Sequence, residues 1–235
     1  MAMVEAPPAY AQPVGDVLAG LAAEPEAGLS SRQVAASRER YGANELAEAP
    51  PIPLWHKLAA QFKDLVIWIL IAASIISGLL GEWSDAIAIV AIVLLNGLLG
   101  FLQEERAEEA LAALQKLSAP IAKVMRDGML HSLPARELVP GDILELEAGD
   151  NIPADARLIQ TFGFRVQEAA LTGESVPVEK DAGAVLGPAT PLGDRRNMVY
   201  MGTIAAAGKA RAVVAATGMG TELGRIAGML QRDRP

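Results

Sequence analysis

Four consecutive residues, Thr172, Gly173, Glu174 and Ser175, have types and spacing that could do chemistry. A glycine lets the backbone turn sharply. Small hydroxyls flank it, and one carboxylate is left projecting. Such a loop can push a base into a partner's pocket and hold a water there. From these four residues alone, an exposed turn with a solvated glutamate is an equally good reading.

Other constellations carry less. Gly202 to Ala210 is close to a phosphate-binding loop but fails twice. Five residues separate Gly202 from Gly208 instead of four, and Ala210 stands where a hydroxyl would hold magnesium. This segment reads as strand-turn-strand. His56 and His131 are too few and too far apart for a metal site, so both are expected at the surface. Asp142 and Asp150 each follow a Gly, and Asp155 lies two residues after Pro153; each is read as sitting at a turn, where Asp bonds nearby amides. No metal site and no cofactor-binding residue is expected in this chain. The absence of cysteine excludes disulfides, thiolate zinc sites and cysteine nucleophiles. The net charge of −8 argues against nucleic acid as a partner.

The elements that must position the loop begin with a membrane question. Hydrophobic residues make up 51% of the chain and its mean hydropathy is +0.28, high for a soluble domain. Residues 1–27 are rich in Ala, Pro and Glu, lack the features of a secretory signal, and read as a flexible tail. Ser30 or Ser31 can cap a helix running to Tyr41, with Gly42 at its end. Pro50, Pro51 and Pro53 then interrupt the chain.

Leu65 to Gly81 and Ala86 to Gln103 contain no charged residue. Each run is about 17 residues, roughly 26 Å of helix, near the thickness of a bilayer core. Only residues 82–85 separate them, so an antiparallel transmembrane hairpin is expected. The short connection holds two acids, Glu82 and Asp85, while Lys57, Lys63, Arg106 and Lys116 lie on the outer flanks. That asymmetry places both termini in the cytoplasm. Asn96 is the strongly polar residue within a run, suited to bonding a neighbouring helix or, as the alternative, to lining an ion path. Beyond Gln103, mixed charges and leucines describe an amphipathic stalk.

From Ala119 the texture becomes alternating. Short strands are expected at 122–126, Ile143 to Glu147, Ala156 to Thr161, Arg165 to Gln167, Asn197 to Thr203 and Lys209 to Ala216. Turn residues between them suggest a sandwich or distorted barrel. A last helix is expected from Thr221 to about Leu230.

The run from Arg165 to Lys180, which includes Leu171-Thr172-Gly173-Glu174-Ser175-Val176-Pro177, resembles the actuator-domain signature of P-type cation ATPases. Leu138 to Ile143, Gly149 to Leu158, Asn197 to Thr203, Gly208-Lys209 and Ala216 to Arg225 resemble its neighbours in family order. Gly28-Leu29-Ser30 to Leu46 resembles the N-terminal cytosolic segment of the type II, calcium-pump-like branch. Gln61 to Leu65 and Gln103 to Arg106 resemble the flanks of its first two membrane helices. One departure is Gln167, where many relatives carry Asp.

The resemblance implies an α+β membrane protein: a transmembrane helical hairpin plus a cytosolic all-β actuator domain, a distorted jelly roll. The implied divisions are a tail (1–27), an N-terminal cytosolic segment (28–64), two membrane helices with a stalk (65–117) and the actuator (118–235). In the family, ATP phosphorylates an Asp in a separate domain, and the actuator loop then promotes hydrolysis of the aspartyl phosphate. Glu174 would position the water, with Thr172, Gly173 and Ser175 shaping the loop. No phosphorylation motif, nucleotide-binding domain or later membrane helix occurs in these residues. The expectation is therefore a fragment, a truncated product or one part of a split protein. Its implied partners are the membrane, the missing phosphorylation and nucleotide-binding domains and the later transmembrane helices; ATP and Mg2+ belong to the intact pump, expected in the cell membrane. The competing reading is a non-catalytic, membrane-anchored binding or regulatory module derived from such a pump.

Overall fold

The computed structural model describes residues 7–47, 65–117 and 120–232. In chain order the helices are α1 (Val14–Gly20), α2 (Ser31–Tyr41), α3 (Leu65–Leu79) and α4 (Trp83–Leu117). Strands β1 (Ile121–Arg126), β2 (Met129–Pro134), β3 (Ile143–Glu147) and β4 (Asp155–Gln167) follow. Then come α5 (Ala169–Thr172), β5 (Val178–Glu179), β6 (Met198–Val199), β7 (Ile204–Ala216) and α6 (Glu222–Arg232). Two compact units result, one containing α3 and α4, the other containing everything else.

In the helical unit many apolar side chains face outward, although Ile67, Ala86 and Val93 are buried. Trp68, Ile69, Ile75 and Ile76 of α3 and Leu94, Leu95 and Leu98 of α4 are all exposed. A surface of this size is unfavourable in water and is suited to lipid or a partner. The segment Trp83–Ala110, with hydropathy 2.3, is long and apolar enough to cross a membrane. Leu65–Leu79 is apolar but shorter. The two helices meet where Ser74 Oγ donates to the Ala86 carbonyl at 3.1 Å. Asn96 is exposed on α4.

The other unit is one antiparallel sheet in the order β2-β1-β3-β7-β4-β5, with β6 on β4. Its centre explains its layers. Successive strand residues point to opposite faces, and β3 and β7 carry apolar neighbours, Ile143-Leu144 and Val213-Val214. Both faces must therefore be covered. On one, Leu144, Leu158, Phe164, Val166 and Val214 form the main core. On the other, Ile143 and Val213 pack with Val17, Ala23, Leu29 and Val139.

That second face corrects the expected tail. Residues 9–27 include a 3-10 turn at Ala9–Ala11 and helix α1, and Val17 is buried against the sheet. Composition hid this because only a few small apolar residues are needed to cover one side of two strands.

Helix α2 starts as expected. Ser30 and Gln33 form a reciprocal capping box, and Gly42 ends the helix at φ 77°. Asn44 then fastens the segment to the sheet unit. Its Nδ2 donates to the carbonyls of Ala135 (3.0 Å) and Pro153 (2.8 Å), and its Oδ1 accepts from Gly218 N.

The strand limits differ from expectation in β4, β6 and β7. The two short strands expected within 156–167 are one, β4, and the strand expected over 197–203 pairs only at Met198–Val199. Gly208 lies inside β7 rather than at a turn. Its φ is +75°, and a Cβ there would lie 2.3 Å from the Gly163 carbonyl oxygen. Paired glycines let two backbones approach across a bulge, and β4 and β7 shift register around this point.

Candidate catalytic loop

Chain geometry, rather than composition, presents Glu174. Strand β4 ends at Gln167, Glu168 is the N-cap of the single-turn helix α5, and Gly173 terminates it in the left-handed region at φ 78°. Glycine adopts that conformation without the cost other residues incur. Gly173, Glu174, Ser175, Val176 and Pro177 are all exposed. Strand β5 then returns the chain to β4 by pairing Val178 with Val166 and Glu179 with Arg165.

Thr172 and Glu174 are linked locally. Thr172 Oγ1 donates to the Glu168 carbonyl at 3.1 Å and accepts from Glu174 N at 3.3 Å. The structure therefore brings all four sequence-derived residues onto one projecting turn. Ser175 is part of that exposed turn. A carboxylate so placed can accept a proton or orient water on a group brought up to it, because nothing on its own unit covers it.

Two charged residues under the loop carry geometry that sequence reasoning did not single out. Lys180 Nζ lies 2.5 Å from Glu168 Oε1, with the side chains 0% and 1% exposed. Burial pushes the Glu168 carboxyl up and the Lys180 ammonium down, each opposed by its partner's charge. Opposite charges at the two ends of a turn segment were the available signal. Arg157 was likewise missed. Buried to 1%, it donates to the carbonyls of Leu158, Ala182, Asn197 and Ala184.

The three aspartates are structural: Asp142 and Asp150 directly follow turns, as expected, whereas Asp155 is the first residue of strand β4 rather than part of a turn. Asp142 binds Arg126 through both oxygens at 2.7 and 2.6 Å and accepts from Val139 N at 2.9 Å. Asp150 accepts from Glu147 N at 2.9 Å. Asp155 accepts from Met201 N and Glu222 N, both at 2.8 Å, the second at the start of α6. Burial raises its pKa to about 6. Among the described residues no group of three or more His, Cys, Asp or Glu could hold a metal. His131 is exposed on β2, and His56 lies outside the described residues.

The chain thus combines a sheet domain carrying a projecting Thr-Gly-Glu-Ser turn with, in a separate unit, a helix long and apolar enough to cross a membrane. The family description "P-type ATPase actuator domain" matches residues 116–231, and "Cation transporter/ATPase, N-terminus" matches residues 9–77. The calcium-transporting ATPase of Bacillus subtilis is 46% identical over 87% of this chain and 23% of its own length. The calcium-transporting ATPase 1 of Bacillus cereus is 42% identical over 94% of this chain and 25% of its own. The probable cation-transporting ATPase F of Mycobacterium tuberculosis is 44% identical over 91% and 24%. The chain belongs to the P-type cation-transporting ATPases and corresponds to their N-terminal part, about a quarter of the length of these relatives.

Proposed function

We propose that this chain is the actuator and first membrane hairpin of an ATP-driven cation pump, with Glu174 promoting hydrolysis of an aspartyl phosphate. The observation that carries this reading is the exposed Glu174 at the tip of a turn with fixed geometry. An acyl phosphate needs an in-line water and an acceptor for its proton, and Glu174 offers the acceptor. Thr172 and Gly173 set the turn, and Ser175 completes it. The phosphorylated Asp, the ATP and Mg2+ site and later membrane helices would be supplied by the rest of the pump. Calcium is the first choice of ion, since several of the relatives are named for calcium transport.

Residues 65–117 serve as a transmembrane hairpin and stalk in this reading, with residues 28–64 and 118–235 on the cytoplasmic side of the cell membrane. The outward apolar faces of α3 and α4 support it, as does the acidic connection at Glu82 and Asp85. The sheet unit would be the distorted jelly roll expected of an actuator; the register shifts between β4 and β7 support that reading, since bulges bend a strand pair.

The test is a chimaera in which this chain replaces the matching N-terminal quarter of the Bacillus subtilis ATPase. Glu174→Gln should still be phosphorylated by ATP, and its phosphoenzyme should decay ~100-fold more slowly, within the usual range for a lost acid-base group. Decay at the unmodified rate would refute the role given to Glu174. Topology is checked separately. A reporter at residue 83 should be outside, and reporters at residues 20 and 180 inside; any other pattern removes the hairpin.

A further inference from the structure

The turn that presents Glu174 is closed at its root by two buried charges. Glu168 lies immediately before α5, and Lys180 immediately after β5. Residues 173–177 between them are exposed, yet the pair itself is 1% and 0% exposed and joined at 2.5 Å. Among the described residues, Glu168 Oε2 has no hydrogen-bond partner.

Such a pair is a poor device for stability. The cost of desolvating two charges roughly cancels their attraction, and apolar residues of similar volume commonly hold a fold as well. Its position suggests another use. The Glu168 carbonyl accepts from Leu171 N at 2.9 Å and Thr172 N at 3.0 Å, and from Thr172 Oγ1 at 3.1 Å. Thr172 Oγ1 in turn accepts from Glu174 N at 3.3 Å. On the returning side, Lys180 N donates to the Phe164 carbonyl at 2.9 Å. The Lys180 ammonium also lies 6.0 Å from the centre of the Tyr200 ring. A short series of contacts thus leads from the buried pair to the backbone of Glu174, and the other end of the turn is tied to β4.

We infer that Glu168 and Lys180 are positioning residues for Glu174: by locking the two ends of the turn together, they set where its carboxylate is held. The inference rests on the hydrolytic role proposed above for Glu174. A directional ion pair fixes one separation and one orientation, whereas an apolar contact tolerates sliding. Loss of the pair should therefore alter the reaction even where the fold survives.

The experiment uses the same chimaera and measures the decay constant of phosphoenzyme already formed, which does not depend on how much protein folds. Lys180→Met should slow decay at least ~10-fold. The double variant Glu168→Met with Lys180→Met removes both charges and keeps an apolar filling. It should recover thermal stability toward the parent while its phosphoenzyme still decays slowly. If Lys180→Met does not accumulate, the double variant carries the test alone. Parent-like decay in the folded double variant would make the pair merely structural and overturn the inference. Glu174→Gln is the control. Normal decay in that variant would refute the underlying role; slow decay there, with normal decay in the double variant, would refute only the positioning.

Discussion

Asp142 follows Gly141 and Glu174 follows Gly173, and both glycines have positive φ, 99° and 78°. The two acids meet different fates. Asp142 is 0% exposed and grips Arg126 with both oxygens. Glu174 is exposed, and among the described residues the hydrogen bond at this position is made by its backbone N–H. A turn with an acid after a glycine is therefore not in itself a site. It becomes a brace where a cation and a free amide lie within reach, and a presented group where the turn stands clear of its own sheet. Asp155 is an intermediate case, buried and held by two amides, with no cation bonded to it among the described residues.

The comparison can be broken by mutation, with stability of the sheet unit followed by pulse proteolysis in urea. Asp142→Ala should show the largest loss, about 3 kcal/mol or more, because it strands the mostly buried Arg126 guanidinium. A loss under about 1 kcal/mol would mean that Asp142 is no brace. Asp155→Asn should cost about 1–3 kcal/mol through a mismatched amide at one of the two N–H groups. It should also change the pH profile. Folding raises the Asp155 pKa from 3.8 to about 6, so its neutral form is favoured in the folded state. That contribution is full below the unfolded value and is lost as pH rises through about 6. The variant should lack this part of the decline; an unchanged profile would contradict the assignment.

The smaller effects sharpen the other side. Gly173→Ala meets no atom within 4 Å of the added Cβ, so its cost should be the conformational one alone, about 1 kcal/mol. Gly141→Ala should cost more, since its Cβ would meet the Leu21 carbonyl and Leu29 methyls at 3.2 Å. Equal costs would remove this distinction between the turns. Glu174→Gln should change stability by less than about 0.5 kcal/mol. A clear loss would show that Glu174 belongs to the brace class.

Local signals were read well where one residue type decides the geometry. Ser30, one of the two caps offered, and Gly42 bounded α2, and Ile143 to Glu147 matched β3. Signals that needed a partner were not. The bulge at Gly208 depends on Gly163, which is remote in sequence, and the packing of residues 9–27 depends on the second face of β3 and β7.

The sequence by itself determined the Thr172 to Ser175 turn, its glycine, the apolar helices and the membership in a family of transporting ATPases. Those depend on residue type and short spacing, which are written along the chain. The tertiary structure alone decided which acids are braces and which is presented, and that Glu168 and Lys180 meet beneath the turn. Burial and pairing arise only when strands distant in sequence are brought side by side, and the same carboxylate is costly or exposed according to what then surrounds it.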